Sequence, residues 1–233
     1  MGLFLVGAVP LFYLFLRETI YPFKSNASLA ALMKGILSFI PALILDLILG
    51  NLVPLPLTPW GMTLNHLYSD ILLWLVFGFG GFFLFRIARK PSAGDFLSLL
   101  PAFLCGIFMP IPIVELIRNA KWHTLHSLFL APWMRIAIIA TVSLVSAGIV
   151  GTARTWGKVI AIGGAAAVLG AFTAGMYLYF ANYELYGILC MVIPGLIGIA
   201  LYLAATRDDH IWEIPLMRPL AGFFSRLGLR LSR

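Results

Sequence analysis

Asp70, Glu115 and Arg135 lie in or at the ends of long apolar stretches of the chain. A charge at the centre of a membrane-spanning helix costs about 2.5–3.5 kcal/mol on the insertion scale, so such residues pair with one another or serve a function. Two carboxylates from different stretches at similar depth can share a proton, or hold a divalent metal together with a histidine. An arginine beside them offers a simpler arrangement, a buried ion pair through which a bundle tolerates charge. Both readings of the trio stay open at this point.

Further polar residues gather near the same depth. Asp46 sits in an unbroken run of leucine and isoleucine and needs a cation, with Arg135 or Lys121 as candidates. Arg118 follows Glu115 at the end of its stretch, and Glu184 opens the last one. Connecting segments add His66, Lys121, His123 and His126. The spacing of His123 and His126 places both rings near one face of a helix, a weak metal signal. Trp122 beside them marks a membrane interface, which favours a loop facing the headgroups.

The elements that must position these groups are long apolar segments. They fall near 2–16, 29–50, 69–86, 96–117, 129–150, 158–181 and 185–206. A hydrocarbon core of roughly 30 Å needs about 20 apolar residues in helical form. Lipid offers backbone groups no partners, so each crossing is a helix or part of a closed barrel. The runs are continuous rather than alternating, which selects helices. Composition agrees, with 61% hydrophobic residues, 11% charged residues and a mean hydropathy of +1.00. The expected fold is an all-α, polytopic bundle of about seven transmembrane helices over residues 1–206, followed by a basic, amphipathic cytoplasmic tail over 207–233.

The net charge of +7 is distributed by topology and does not signal a nucleic-acid partner. With the N-terminus outside, thirteen of the sixteen basic residues fall on the cytoplasmic side. Only Arg118, Lys121 and Arg135 fall on the other. Short loops rich in Lys and Arg stay inside, which gives N-out, C-in. Four of the nine acids and three of the four histidines then share the outer end, so a polar site there opens to the extracytoplasmic side.

Several local features refine this picture. The first segment has no basic region ahead of it and ends at Arg17-Glu18-Thr19, which reads as a retained signal-anchor. In the tail, Phe223, Phe224, Leu227 and Leu231 recur at roughly helical spacing opposite Arg226, Arg230 and Arg233. That pattern fits a short helix lying on anionic lipid; a basic tail serving topology alone is the other reading. Gly163, Ala167, Gly170, Ala171, Ala174 and Gly175 form small-xxx-small pairs that let helices approach closely, within the bundle or between two copies. Pro10, Pro41, Pro101, Pro110, Pro112 and Pro194 should kink their helices, the fourth most of all. Cys105 and Cys190 lie within helices and imply neither a disulfide framework nor a cysteine metal site. Ser92-Ala93-Gly94-Asp95 reads as a turn and helix cap. There is no phosphate loop and no H-E-x-x-H motif.

The opening of the chain carries a pattern of Tyr13-Leu14-Phe15-Leu16-Arg17-Glu18 and Tyr21-Pro22, then Leu32-Met33-Lys34-Gly35-Ile36 and Ile40-Pro41-Ala42-Leu43. Gly106-Ile107-Phe108 precedes Glu115, and Arg135 follows after a loop. Over roughly residues 5–150 this resembles the PrsW family, polytopic membrane proteases that cut anti-sigma factors near the membrane. The resemblance implies a bacterial cytoplasmic membrane protein with Asp70, Glu115 and Arg135 as its catalytic set.

The chain also departs from that family's pattern. In place of a tandem Glu-Glu it has Tyr68-Ser69-Asp70, and Glu115 comes seven positions after Phe108. Thr141-Val142-Ser143-Leu144-Val145 stands where a histidine is expected. A catalytic zinc normally takes three protein ligands, so zinc would require His66 or His126 to come in from a loop. The resemblance therefore implies a degenerate member with no resident metal or cofactor. The alternative is a non-enzymatic subunit of a membrane complex, or a carrier using the outer polar cluster. Expected partners are the lipid bilayer and either another membrane protein or a membrane-bound substrate.

Overall fold

A computed structural model describes residues 2–19, 26–52, 57–85, 87, 92–118, 129–151 and 155–206. Among them all regular structure is helical. The helices are α1 (Gly2–Thr19), α2 (Asn26–Leu52), α3 (Pro59–Leu67), α4 (Leu73–Leu84), α5 (Ala93–Phe108), α6 (Ile111–Arg118), α7 (Ala131–Gly151), α8 (Thr155–Phe180) and α9 (Glu184–Thr206). A π-helical turn, Tyr68–Leu72, joins α3 to α4 without a break. The tail, and with it the expected surface helix, lies outside the described residues, as do Lys121, His123 and His126.

Five stretches are long and apolar enough to cross a membrane: Asn26–Ile48, Pro59–Leu84, Ala93–Ile117, Ala131–Val150 and Glu184–Leu203. The protein thus has the helical, apolar build of an integral membrane protein. The stretch through Ala93–Ile117 is 72% buried and Ala131–Val150 is 61%, against 28–39% for the other three. So α5 and α7 form the centre, and the others expose broad apolar faces.

Packing follows from that division. α5 is covered by α2, α4, α1 and α7, and α7 also packs against α9 and α8. In lipid the hydrophobic effect does not drive helices together, so close packing depends on small residues. The tightest approach is between α2 and α5. A Cβ added to Gly35 would lie 2.1 Å from the Phe103 carbonyl oxygen, and one on Gly106 would lie 2.1 Å from that of Leu32. Each glycine therefore points a Cα hydrogen at the opposite carbonyl, a weak hydrogen bond common at such crossings. Of the small residues of α8, Gly175 packs inside the bundle, where an added Cβ would meet the Gly187 carbonyl at 2.8 Å, whereas Ala167 and Ala174 are exposed. Gly170 faces open space.

The prolines act where backbone chemistry requires. Pro110 has no N–H to offer the Gly106 carbonyl, and the helix breaks there between α5 and α6. Pro101 lies inside α5. It leaves the Leu97 carbonyl without its helical partner, and the Tyr202 hydroxyl from α9 donates to that oxygen at 2.7 Å. The expected cap at Ser92 is a full capping box. Its hydroxyl accepts from the Asp95 amide, and the Asp95 carboxylate accepts from the Ser92 amide at 2.8 Å. Between α8 and α9, Asn182 takes a left-handed conformation with φ 68°. The Tyr183 amide reaches back to the Leu178 carbonyl at 2.9 Å, closing the end of α8 as a Schellman turn does. Lys34 donates to the Phe85 carbonyl at 3.4 Å, which brings the start of α2 and the end of α4 to the same end of the bundle.

One boundary differs from the sequence expectation. The third segment begins at Pro59 rather than near residue 69, so His66 belongs to a helix and not to a loop. Thr58 is the N-cap, its hydroxyl accepting from the Gly61 amide at 3.1 Å, and Pro59 fills the first turn. An apolar-run reading misses this turn because Asn65, His66, Ser69 and Asp70 interrupt it.

Candidate functional site

Four ionisable side chains come close where the end of α3 and the π-turn face α6 and the start of α7. Two come from the continuous helix through α3 and α4, His66 and Asp70. They are four residues apart, the separation that places side chains one above the other on a helix. The His66 Nδ1 donates to Asp70 Oδ2 at 2.8 Å. The Ser69 hydroxyl donates to the other carboxylate oxygen at 3.3 Å.

Asp70 lies within the π-helical turn. There the Leu73 amide bonds to the Tyr68 carbonyl, five residues back instead of four. The Trp74 indole N–H donates to the Ser69 carbonyl. One inserted residue of this kind rotates the downstream helix relative to the upstream one, and such turns recur at functional sites. Here Ile71 in the turn is buried in a core with Leu130, Met134, Phe172, Met176 and Met191. The His66 ring is stacked on Phe180 of α8, with centroids 5.1 Å apart and planes 19° from parallel.

The other two members come from α6 and α7. Arg135 is 1% exposed, and its Nη2 donates to Glu115 Oε1. Burial of this arginine is compatible with a folded bundle because that carboxylate faces it. Asp70 and His66 also lie close enough to Glu115 to act on it electrostatically, so the two pairs form one cluster. Its members are not equally enclosed: the side chains of His66 and Glu115 each keep 31% of their surface open, whereas Asp70 keeps 15%.

The ion pair between Arg135 and Glu115 is incompletely satisfied. Among the described residues, Arg135 Nε and Nη1 and Glu115 Oε2 are buried without a hydrogen-bond partner. An arginine has five N–H donors in a fixed plane, and an ionised carboxylate has two accepting oxygens. The pair therefore presents spare donors and a spare acceptor on either side of one contact.

Of the remaining sequence candidates, Lys121, His123 and His126 lie outside the described residues. Asp46 of α2 acts electrostatically on Tyr68 of the π-turn. Glu184 is exposed in the first turn of α9, where a negative charge complements the helix dipole. Arg118 ends α6. The sequence reading did not single out the π-turn or Phe180. It named His66 but missed its pairing with Asp70. The four-residue spacing of His66 and Asp70 was the available signal once Thr58-Pro59 is read as a helix start.

The described donors by themselves do not make up a catalytic zinc site. Asp70 is occupied by His66 and Ser69, and Glu115 by Arg135. Among the described residues no three His, Cys, Asp or Glu side chains gather to hold a metal ion. Fold and site together define an all-helical protein with membrane-length apolar helices and a partly enclosed acid–base cluster near one end. Comparison with family models, with curated proteins and with solved structures gives no match.

Proposed function

We propose that the chain is a seven-span protein of the bacterial cytoplasmic membrane, N-terminus outside and C-terminus inside. On this reading α1 and α8 complete the count, and the cluster of His66, Asp70, Glu115 and Arg135 opens to the extracytoplasmic side. The protein is PrsW-like in pattern but not a competent metalloprotease. It works as a binding or carrier protein, alone or as a subunit beside another membrane protein. The observation that carries this reading is the occupation of both carboxylates by internal partners, Asp70 by His66 and Glu115 by Arg135. A metal site needs such groups free to ligate.

The test is the zinc content of the purified full-length protein, measured together with peptide-bond hydrolysis. The expected result is far less than one zinc per chain and no proteolysis dependent on Asp70 or Glu115. Near-stoichiometric zinc that disappears in the His123→Ala, His126→Ala double variant would overturn the reading and restore the protease. Reporter fusions after Lys90 and after Thr206 test the topology, and both should report a cytoplasmic location.

A further inference from the structure

The unsatisfied atoms of the cluster describe the ligand that would complete it. Arg135 is almost fully buried, yet two of its nitrogens donate to nothing among the described residues. Beside it Glu115 Oε2 accepts from none of the described residues. Buried polar groups in folded proteins are satisfied almost without exception, so spare donors and a spare acceptor on a buried ion pair call for an explanation, and a bound ligand is one. The side chains of Glu115 and His66 keep 31% of their surface open, whereas Oε2 and the two arginine nitrogens are themselves closed, so a ligand has to displace their cover to reach them.

Charge decides among ligand classes. A simple anion would meet Arg135 but would also add negative charge beside Glu115 and Asp70. A simple cation would meet Glu115 but would sit against Arg135. A small molecule with one group of each sign serves both partners and leaves the net charge of the cluster unchanged. Hydrogen bonds between ionised groups are roughly twice as strong as neutral ones, which places this ligand ahead of an uncharged amide.

We propose that the cluster is a binding site for a small zwitterion, with the α-amino acids as the fitting chemical class. The carboxylate accepts from an unpartnered nitrogen of Arg135, and the ammonium donates to Glu115 Oε2 with Asp70 adding to the attraction. His66, fixed by Asp70 and Phe180, bounds the site. This deepens and rests on the reading of the protein as a binding or carrier protein.

The experiment uses the full chain in lipid nanodiscs. The free protein L-amino acids are screened one at a time by thermal shift, and hits are measured by equilibrium binding. Acetate, methylammonium and N-methylacetamide serve as single-charge and uncharged probes. At least one amino acid should bind about tenfold or more tightly than each of the three probes, the loss expected when one charge-assisted contact is missing. Glu115→Gln, and the double variant Glu115→Gln, Arg135→Gln that leaves no buried charge stranded, should each weaken that binding about tenfold or more, read in whichever keeps the size-exclusion profile of the unaltered protein. Arg135→Lys should do the same, and the Glu115→Gln result stands alone if the lysine variant does not fold.

The proposal is overturned if no amino acid binds better than the single-charge probes, or if N-methylacetamide binds equally well. It is also overturned if Glu115→Gln leaves amino-acid binding unchanged. Any of these results in zinc-free protein leaves the non-protease reading standing. Stoichiometric zinc removes that reading whatever the binding result.

Discussion

The Tyr202 hydroxyl donates to the Leu97 carbonyl, joining α9 to α5 at the one α5 oxygen whose helical donor Pro101 removes. Both residues are fully buried. Without water, a carbonyl freed by a proline must find a side chain, and a tyrosine on a neighbouring helix supplies one. A sequence defect in one helix thereby becomes a point of attachment for another.

Replacing Tyr202 with Phe strands the Leu97 carbonyl and should cost about 1–3 kcal/mol, the usual loss for a buried unsatisfied group. Replacing Pro101 with Ala restores an N–H to that carbonyl. Tyr202→Phe should then cost distinctly less in the Pro101→Ala background. Unfolding in detergent of the two single variants and the double variant measures the coupling, and strict additivity would refute the link.

Gly35 and Gly106 set the distance between α2 and α5. Alanine at either places a methyl group on a backbone carbonyl that cannot swing away. Each substitution should destabilise by about 1–3 kcal/mol, the typical cost of overpacking. Gly80 is the internal control, because nothing lies within 4 Å of an added Cβ there. Thermal denaturation should rank Gly35→Ala and Gly106→Ala well below Gly80→Ala, which should match the unaltered protein.

Removing one member of the Arg135 and Glu115 pair leaves a charge without its counter-ion. For fully buried pairs this costs about 3–5 kcal/mol, and the partial exposure of Glu115 puts the expected loss at or below the low end. Arg135→Ala should therefore lower folded yield more than the joint replacement Glu115→Gln, Arg135→Gln. Equal yields from the two proteins would show that the pair does not matter for folding.

Thr58 starts the helix that carries His66. Thr58→Val keeps the shape but loses the hydroxyl that accepts from the Gly61 amide, and loss of such a cap costs about 1 kcal/mol. Thr58→Ser should retain most of the stability. Amide hydrogen exchange over residues 59–67 should rise in the valine variant and stay near the original in the serine variant.

Much of the architecture was readable from the sequence because lipid leaves backbone groups only one continuous solution, the helix. The apolar runs through residues 29–50 and 185–206 each lie within one helix, and the run through 96–117 is helical on either side of Met109-Pro110. Pro110 breaks its helix and Ser92 caps the start of α5 for reasons local to each residue. The neutralisation of a carboxylate by Arg135 was one of the two arrangements that the residue types allowed, because an arginine within an apolar segment needs an anion.

Tertiary structure alone decided which partners meet. That Arg135 takes Glu115 while Asp70 takes His66 depends on the relative rotation of three helices. The π-helical turn contributes to that rotation, and its extra residue has no signature in an apolar run. The contact of Gly35 with Gly106 and the bond from Tyr202 to Leu97 join residues far apart in the chain. The physical reason is common to all of them. A bilayer makes each helix nearly obligatory from its own composition, but it gives no preference for which apolar faces meet, so the pairing is settled by small residues and by the few polar atoms that must find one another.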